Sequence, residues 1–308
     1  MIICNDFCGQ LGNHILIFNN LVQLGELLKT NLVFTSNYIK KFFDIQPCKY
    51  KDNKLPSRSV LNINSRTLVA IFDSVPNISR EMLIKISKSS NISIRQPFLG
   101  ELFFQYNADN PNKMFQLKEH YNLEKSMRTD VINIGVHIRD MGAWNKRHEG
   151  VSDLKPSYYI NAIKYCVEHC EELYSVRENA VKLLFIIIGA TSNSQSSIGE
   201  KCDVSAYPPY VATEKYLKDN GLMYEYGITT QYPDSSYIYD WSQLSNCDVI
   251  ISSAGTFAIS AGILGRSKKI IHSKEWVEYA ANKKDTFWKD LYEGGNEYYR
   301  CWTMVPHD

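Results

Sequence analysis

Along the whole chain, apolar runs of strand length alternate with longer stretches whose apolar positions recur every three or four residues. The short runs predict strands at 2–4, 32–34, 92–94, 131–134, 182–189, 248–252 and 268–272, with two further apolar runs at 60–63 and 68–72. The periodic stretches predict helices at 15–28, 81–87, 99–106, 114–125, 156–174, 211–220, 235–246 and 256–264. Pro156 sits where proline suits a first helical turn, and Pro208 and Pro209 precede the 211–220 helix. Strands alternating with helices in both halves predict an α/β fold with parallel sheets. The polar residues 127–130 mark a boundary between two domains, 1–128 and 129–308, without a Gly/Ser linker.

At 308 residues the chain can bury a large core and is long enough for two domains. Its 44% hydrophobic and 22% charged content is that of a soluble globular protein. A net charge of +1 gives no electrostatic footprint for nucleic acid or for a polybasic membrane arm. No apolar run approaches a membrane span, and residues 1–4 lead into a Gly-rich turn without a signal-peptide pattern. The expectation is a cytoplasmic, unanchored chain with reduced cysteines. The eight cysteines form no zinc-like pair of C-x-x-C motifs, so no metal site is expected. Oligomeric state is not legible.

The candidate chemistry gathers where strands end. The run 131–134 continues into Gly135-Val136-His137-Ile138-Arg139-Asp140, which places polar groups beyond the carboxyl end of a buried strand, where parallel sheets bind ligands. The guanidinium of Arg139 suits a bidentate hold on phosphate and stays charged at any working pH. A structural ion pair with a carboxylate such as Asp140 is the competing reading of this stretch. Near the amino end, Gly9-Gln10-Leu11-Gly12-Asn13-His14 joins the first strand to a helix, an order that presents backbone N–H groups to an anion. Near the carboxyl end, Ser253-Ala254-Gly255-Thr256-Phe257 stands between the 248–252 strand and an apolar helix. Neither G-x-G-x-x-G, a P-loop nor G-x-S-x-G is present, which disfavours a dinucleotide enzyme, an NTPase and an esterase.

Three stretches, in the same chain order, resemble one family. Gly9-x-Leu11-Gly12-Asn13, then Gly135-Val136-His137-Ile138-Arg139, then Asp240-Trp241-x-x-Leu244-Ser245-x-Cys247-Asp248 with Gly255-Thr256-Phe257 are similar to motifs of the α1,2-fucosyltransferases (glycosyltransferase family 11-like) and their protein-O- and α1,6-fucosyltransferase relatives. Most of residues 30–130 and 190–230 carry no such likeness.

The resemblance implies a GT-B-type fold, two Rossmann-like domains with parallel sheets facing a cleft, the first on the acceptor side and the second binding the donor. It implies inverting, metal-independent transfer of L-fucose from GDP-fucose to a glycan hydroxyl. Carried onto this chain, Arg139 would hold the departing diphosphate, with His137 beside it. Asp240 would meet the nucleobase, and Ser253, Gly255, Thr256 and Phe257 would form the phosphate turn. Gly12, Asn13 and His14 would face the cleft from the first domain. Glu149 is the first choice as base on the acceptor hydroxyl, with Asp153 and His148 on the same loop. No cofactor is expected beyond the nucleotide-sugar donor. Two departures from the family pattern stand near the donor sugar: Asp140 replaces a second arginine, and Ala258, Ile259 and Ser260 replace aromatic residues. They leave open a different donor, for example a UDP-sugar such as UDP-xylose, or a non-catalytic carbohydrate-binding protein.

Overall fold

In the computed structural model the described residues are 1–4, 11–34, 36–45, 59–64, 76–95, 115–139, 154–174, 182–189, 207–231, 237–265, 267, 269–282 and 302–306. They fall into two compact units, Met1–Lys118 and Glu119–Asp308.

The first unit is built on strands β1 (Ile2–Cys4), β2 (Leu32–Phe34), β4 (Val60–Asn64) and β5 (Asn91–Arg95), paired in parallel in the order β2-β1-β5-β4. Helix α1 (Leu11–Leu27) joins β1 to β2, and α3 (Pro76–Ser89) leads into β5. Ile17, Leu21 and Leu24 of α1 pack with Ile2, Cys4, Ile92, Ile94 and Leu83 in one apolar cluster. Burial of each such side chain contributes about 1.5–3 kcal/mol, so this interface fixes the helix on the sheet. Helix α1 begins four residues earlier than the periodicity predicts. Gly12, Asn13 and His14 therefore lie in its first turn and not in a connecting loop.

A short helix α2 (Asn37–Phe42) runs into β3 (Phe43–Ile45), which pairs antiparallel with β6 (Phe115–Leu117). This corrects the helix expected over 114–125. Beyond β6 the chain makes only two 3-10 turns, Glu119–Tyr121 and Glu124–Ser126. Lys118 explains the docking, because its ammonium donates to the carbonyls of Lys40 and Lys41 at the end of α2.

The second unit holds β7 (Ile132–Ile138), β8 (Leu183–Gly189), β9 (Tyr224–Tyr226), β10 (Val249–Ile251), β11 (Lys269–Ser273) and β12 (Trp302–Val305), all parallel. Their order is β12-β11-β10-β7-β8-β9. Every residue of β7 is buried, as expected for a central strand covered on both faces. The connecting helices are α4 (Pro156–Glu168), α5 (Cys170–Tyr174), α6 (Pro208–Asp219), α7 (Ile228–Gln231), α8 (Tyr237–Ser245), α9 (Thr256–Leu264) and α10 (Lys274–Asn282). The single helix expected over 156–174 is split at His169 into α4 and α5. Pro208 and Pro209 lie inside the first turn of α6, where a missing N–H costs nothing. In this unit strands β9 and β12 and helices α7 and α10 have no counterpart in the sequence expectations.

Residues 119–128, assigned to the first domain from sequence, belong to the second unit. The Leu123 N–H donates to Ser242 Oγ on α8, and Asn246 reaches Asn122. The expected strand at 68–72 and helix at 99–106 lie outside the described residues. Among the described residues, no helix is long and apolar enough to cross a membrane.

Candidate active site

Strand order creates the site. From β7 the chain moves one way, to β8 and β9, then returns to place β10 on the opposite side of β7. This is the Rossmann order, and the point where it reverses opens a crevice beyond the carboxyl ends of β7 and β10. His137 is the last residue but one of β7, Arg139 follows the strand there, and 252–255 leave β10 there. Residues 116 apart in sequence meet: His137 Nδ1 lies 2.6 Å from Ser253 Oγ, both buried.

The turn after β10 has one conformational requirement. Gly255 caps the amino end of α9 at φ 100°, a backbone state that disfavours a side chain. A Cβ on Gly255 would also lie 2.8 Å from Arg139 Nη1, so the guanidinium rests directly against this glycine. Arg139 thus sits at the amino end of α9. A guanidinium beside a helix amino end is an arrangement chemically suited to an anion. Burial lowers the pKa of Arg139 from its ordinary value. His137 is pushed down to about 3, first by burial and then by the charge of Arg139, so the imidazole is neutral at pH 7. The Phe257 ring packs against it, with centroids 5.3 Å apart and planes at 30°.

The supporting contacts are equally specific. Tyr158, fully buried on α4, shares its hydroxyl between the carbonyls of Ser252 and Ile271, at 2.8 and 3.1 Å, and so fixes where β10 gives way to the turn. No sequence signal marks this residue. At the opposite end of β7, Asp248 accepts from the Asn133 N–H, and its own N–H donates back to the Asn133 carbonyl. Asp248 is therefore a structural clamp between β7 and β10. Gly135 has a packing role, since a Cβ there would lie 2.8 Å from Leu244 Cδ2 and 3.0 Å from Cys247 Sγ. Asp240 is buried in the first turn of α8.

Ala258, Ile259 and Ser260, expected near the donor sugar, instead face the core. Ser260 Oγ accepts from the Trp241 indole N–H at 3.0 Å and donates to the Phe257 carbonyl, tying α8 to α9. In the first unit, His14 Nδ1 lies 2.8 Å from Ser36 Oγ, which caps α2 by accepting from the Ile39 N–H. The His14 ring meets Tyr38 edge-on at 4.8 Å. That edge of His14 is engaged with Ser36 and Tyr38. Gly12 is buried, and Asn13 is half-buried on the same turn. Glu149 and Asp153, with Asp140 and His148, lie outside the described residues. Among the described residues, no group of three His, Cys, Asp or Glu side chains could hold a metal ion.

The molecule thus has a mixed α/β, GT-B-type fold with parallel sheets, and that fold is fucosyltransferase-like. Two of the similar solved structures show the likeness. A crystal structure of POFUT1 in complex with GDP-fucose matches with a TM-score of 0.51 and 11% identity, over 87% of this chain and 96% of that one. A mutant of Arabidopsis thaliana FUT1 in complex with GDP matches with a TM-score of 0.50 and 13% identity, over 87% of this chain and 69% of that one. At this identity the likeness lies in the fold. No family model and no curated protein matches the sequence.

Proposed function

We propose that the chain is an inverting, metal-independent glycosyltransferase that moves L-fucose from GDP-fucose onto a glycan hydroxyl. The observation that carries this reading is Arg139 seated against Gly255 at the amino end of α9, at the switch point of a Rossmann-ordered sheet. Breaking a glycosyl–phosphate bond builds negative charge on the departing diphosphate. A fixed guanidinium, together with the N–H groups of Thr256 and Phe257, would stabilise that charge without reorganising at the moment of reaction. The positive charge that a divalent ion supplies in other transferases would come here from Arg139 and the helix. His137, neutral and held beside Arg139, would add a hydrogen bond, and Asp240 would accept N–H groups of the guanine base. Glu149 or Asp153 would take the acceptor proton as the hydroxyl attacks the anomeric carbon from the face opposite the leaving group. The bound GDP and GDP-fucose of the two similar structures support the choice of donor.

The test incubates the protein with GDP-fucose, UDP-xylose and other UDP-sugars, with and without EDTA, and measures nucleotide release and the anomer formed on a glycan acceptor. GDP release from GDP-fucose, undiminished by EDTA and with inverted configuration, is the expected result. UDP release in its place would overturn the donor. No release from any nucleotide sugar would overturn the enzyme reading in favour of a carbohydrate-binding protein.

A further inference from the structure

The hydrogen bond between Ser253 and His137 has a consequence for what the imidazole can do. The Ser253 hydroxyl has one proton and two acceptors in reach, His137 Nδ1 at 2.6 Å and the Ala254 carbonyl at 3.3 Å. If the hydroxyl donates to Nδ1, the short contact is satisfied and the ring proton sits on Nε2. If Nδ1–H donates to Oγ instead, the hydroxyl must turn to the Ala254 carbonyl, well beyond the usual O–H···O distance of about 2.7–2.8 Å. Geometry therefore favours the first arrangement. Burial keeps the ring neutral, so the choice is between two tautomers and not among three protonation states. The Phe257 ring lies against the imidazole and hinders rotation that would exchange the two nitrogens.

We propose that Ser253 is a positioning residue: its hydroxyl donates to Nδ1 of His137 and holds the ring as the Nε2–H tautomer, so that His137 meets the departing diphosphate as a neutral hydrogen-bond donor. The proposal rests on the glycosyltransferase reading for the identity of the anion. The opposite tautomer would present a lone pair to a negatively charged group, which is repulsive. Ser253 thus acts through His137, and its hydroxyl is directed to the ring in preference to the ligand.

The test is 15N NMR of the full chain carrying labelled histidine, on the parent and on Ser253→Ala and Ser253→Thr. The parent is expected to show His137 protonated at Nε2 and bare at Nδ1. S253T, which keeps the hydroxyl, is expected to retain that pattern, and S253A to move toward the Nδ1–H form. In GDP-fucose turnover, S253A is expected to lose about tenfold in kcat with little change in KM, and S253T to recover most of it. A parent ring protonated at Nδ1, or an S253A ring with the parent's tautomer, would overturn the proposal. If S253A does not fold, the parent tautomer decides alone. A parent that turns over no GDP-fucose overturns the functional reading, while the tautomer measurement still decides the role of Ser253.

Discussion

Arg139 and Gly255 form a matched pair, because the glycine leaves the space that the guanidinium fills. A guanidinium beside the amino end of a helix suits an anion held between the two. Under the proposed function, Arg139→Ala lowers turnover of GDP-fucose by on the order of a hundredfold or more. Arg139→Lys fails to restore it, since an ammonium cannot reproduce the planar fork. The measurement is kcat/KM with circular dichroism to confirm folding, and an R139A variant with parental turnover would remove the leaving-group role. His137 and Ser253 belong to the same scale. Each is an ordinary buried polar residue until the partner is known, and the distance of 116 positions between them hides the pair in the sequence.

At the scale of elements, the motif around β7 divides into parts with different duties. His137 and Arg139 stand at the end of the strand by the crevice, while Gly135 exists for the packing of α8. Its added Cβ would meet Leu244 and the side chain of Cys247, both fully buried. Gly135→Ala is therefore expected to destabilise the fold by about 1–3 kcal/mol through overpacking. Urea unfolding would read this as a lower midpoint at constant m-value. A midpoint equal to the parent's would show that α8 can yield. Elements also mark where sequence reading failed. The spacing of Met114, Leu117 and Tyr121 imitates a helix, yet Phe115–Leu117 is a strand because Phe43–Ile45 is available to pair with it. A three-residue strand is too short for its alternation to be separated from helical spacing, and its partner lies some seventy positions earlier in the chain. Strand β9 was hidden for the same reason, being three residues long at the sheet edge.

For the molecule as a whole, the buried histidines set how stability responds to pH. His137 and His272 are both fully enclosed in the second unit, and burial pushes each down to about 3. In the unfolded chain each would titrate near 6.5. The neutral forms are thus favoured by folding, and their contribution is complete above pH 6.5. Between pH 6.5 and 3 the unfolded state binds more protons, so stability falls as pH falls, by about 1.4 kcal/mol per pH unit for each histidine. Denaturant unfolding at pH 7.5 and pH 5 is expected to show this loss, and His272→Asn to reduce it. An equal stability at both pH values would contradict the burial of the two rings.

The sequence by itself determined the class of the fold and which polar residues stand at its strand ends. Hydrophobic periodicity is a local property, so strands such as β7, β8, β10 and β11 and helices such as α1, α8 and α9 were legible within a few residues. The motif Gly135-Val136-His137-Ile138-Arg139 and the turn Gly255-Thr256-Phe257 were likewise legible as candidate positions at strand ends. What only the tertiary structure decided was which strands are neighbours. Parallel strands are joined by long crossovers, and their order depends on competition among buried faces that no single segment records. That order put β10 beside β7, brought Ser253 to His137 and Arg139 to Gly255, and took Ala258–Ser260 into the core. The stretch at the end of β7 carried the candidate groups, and the reversal of strand order beside it brought them to residues distant in the chain.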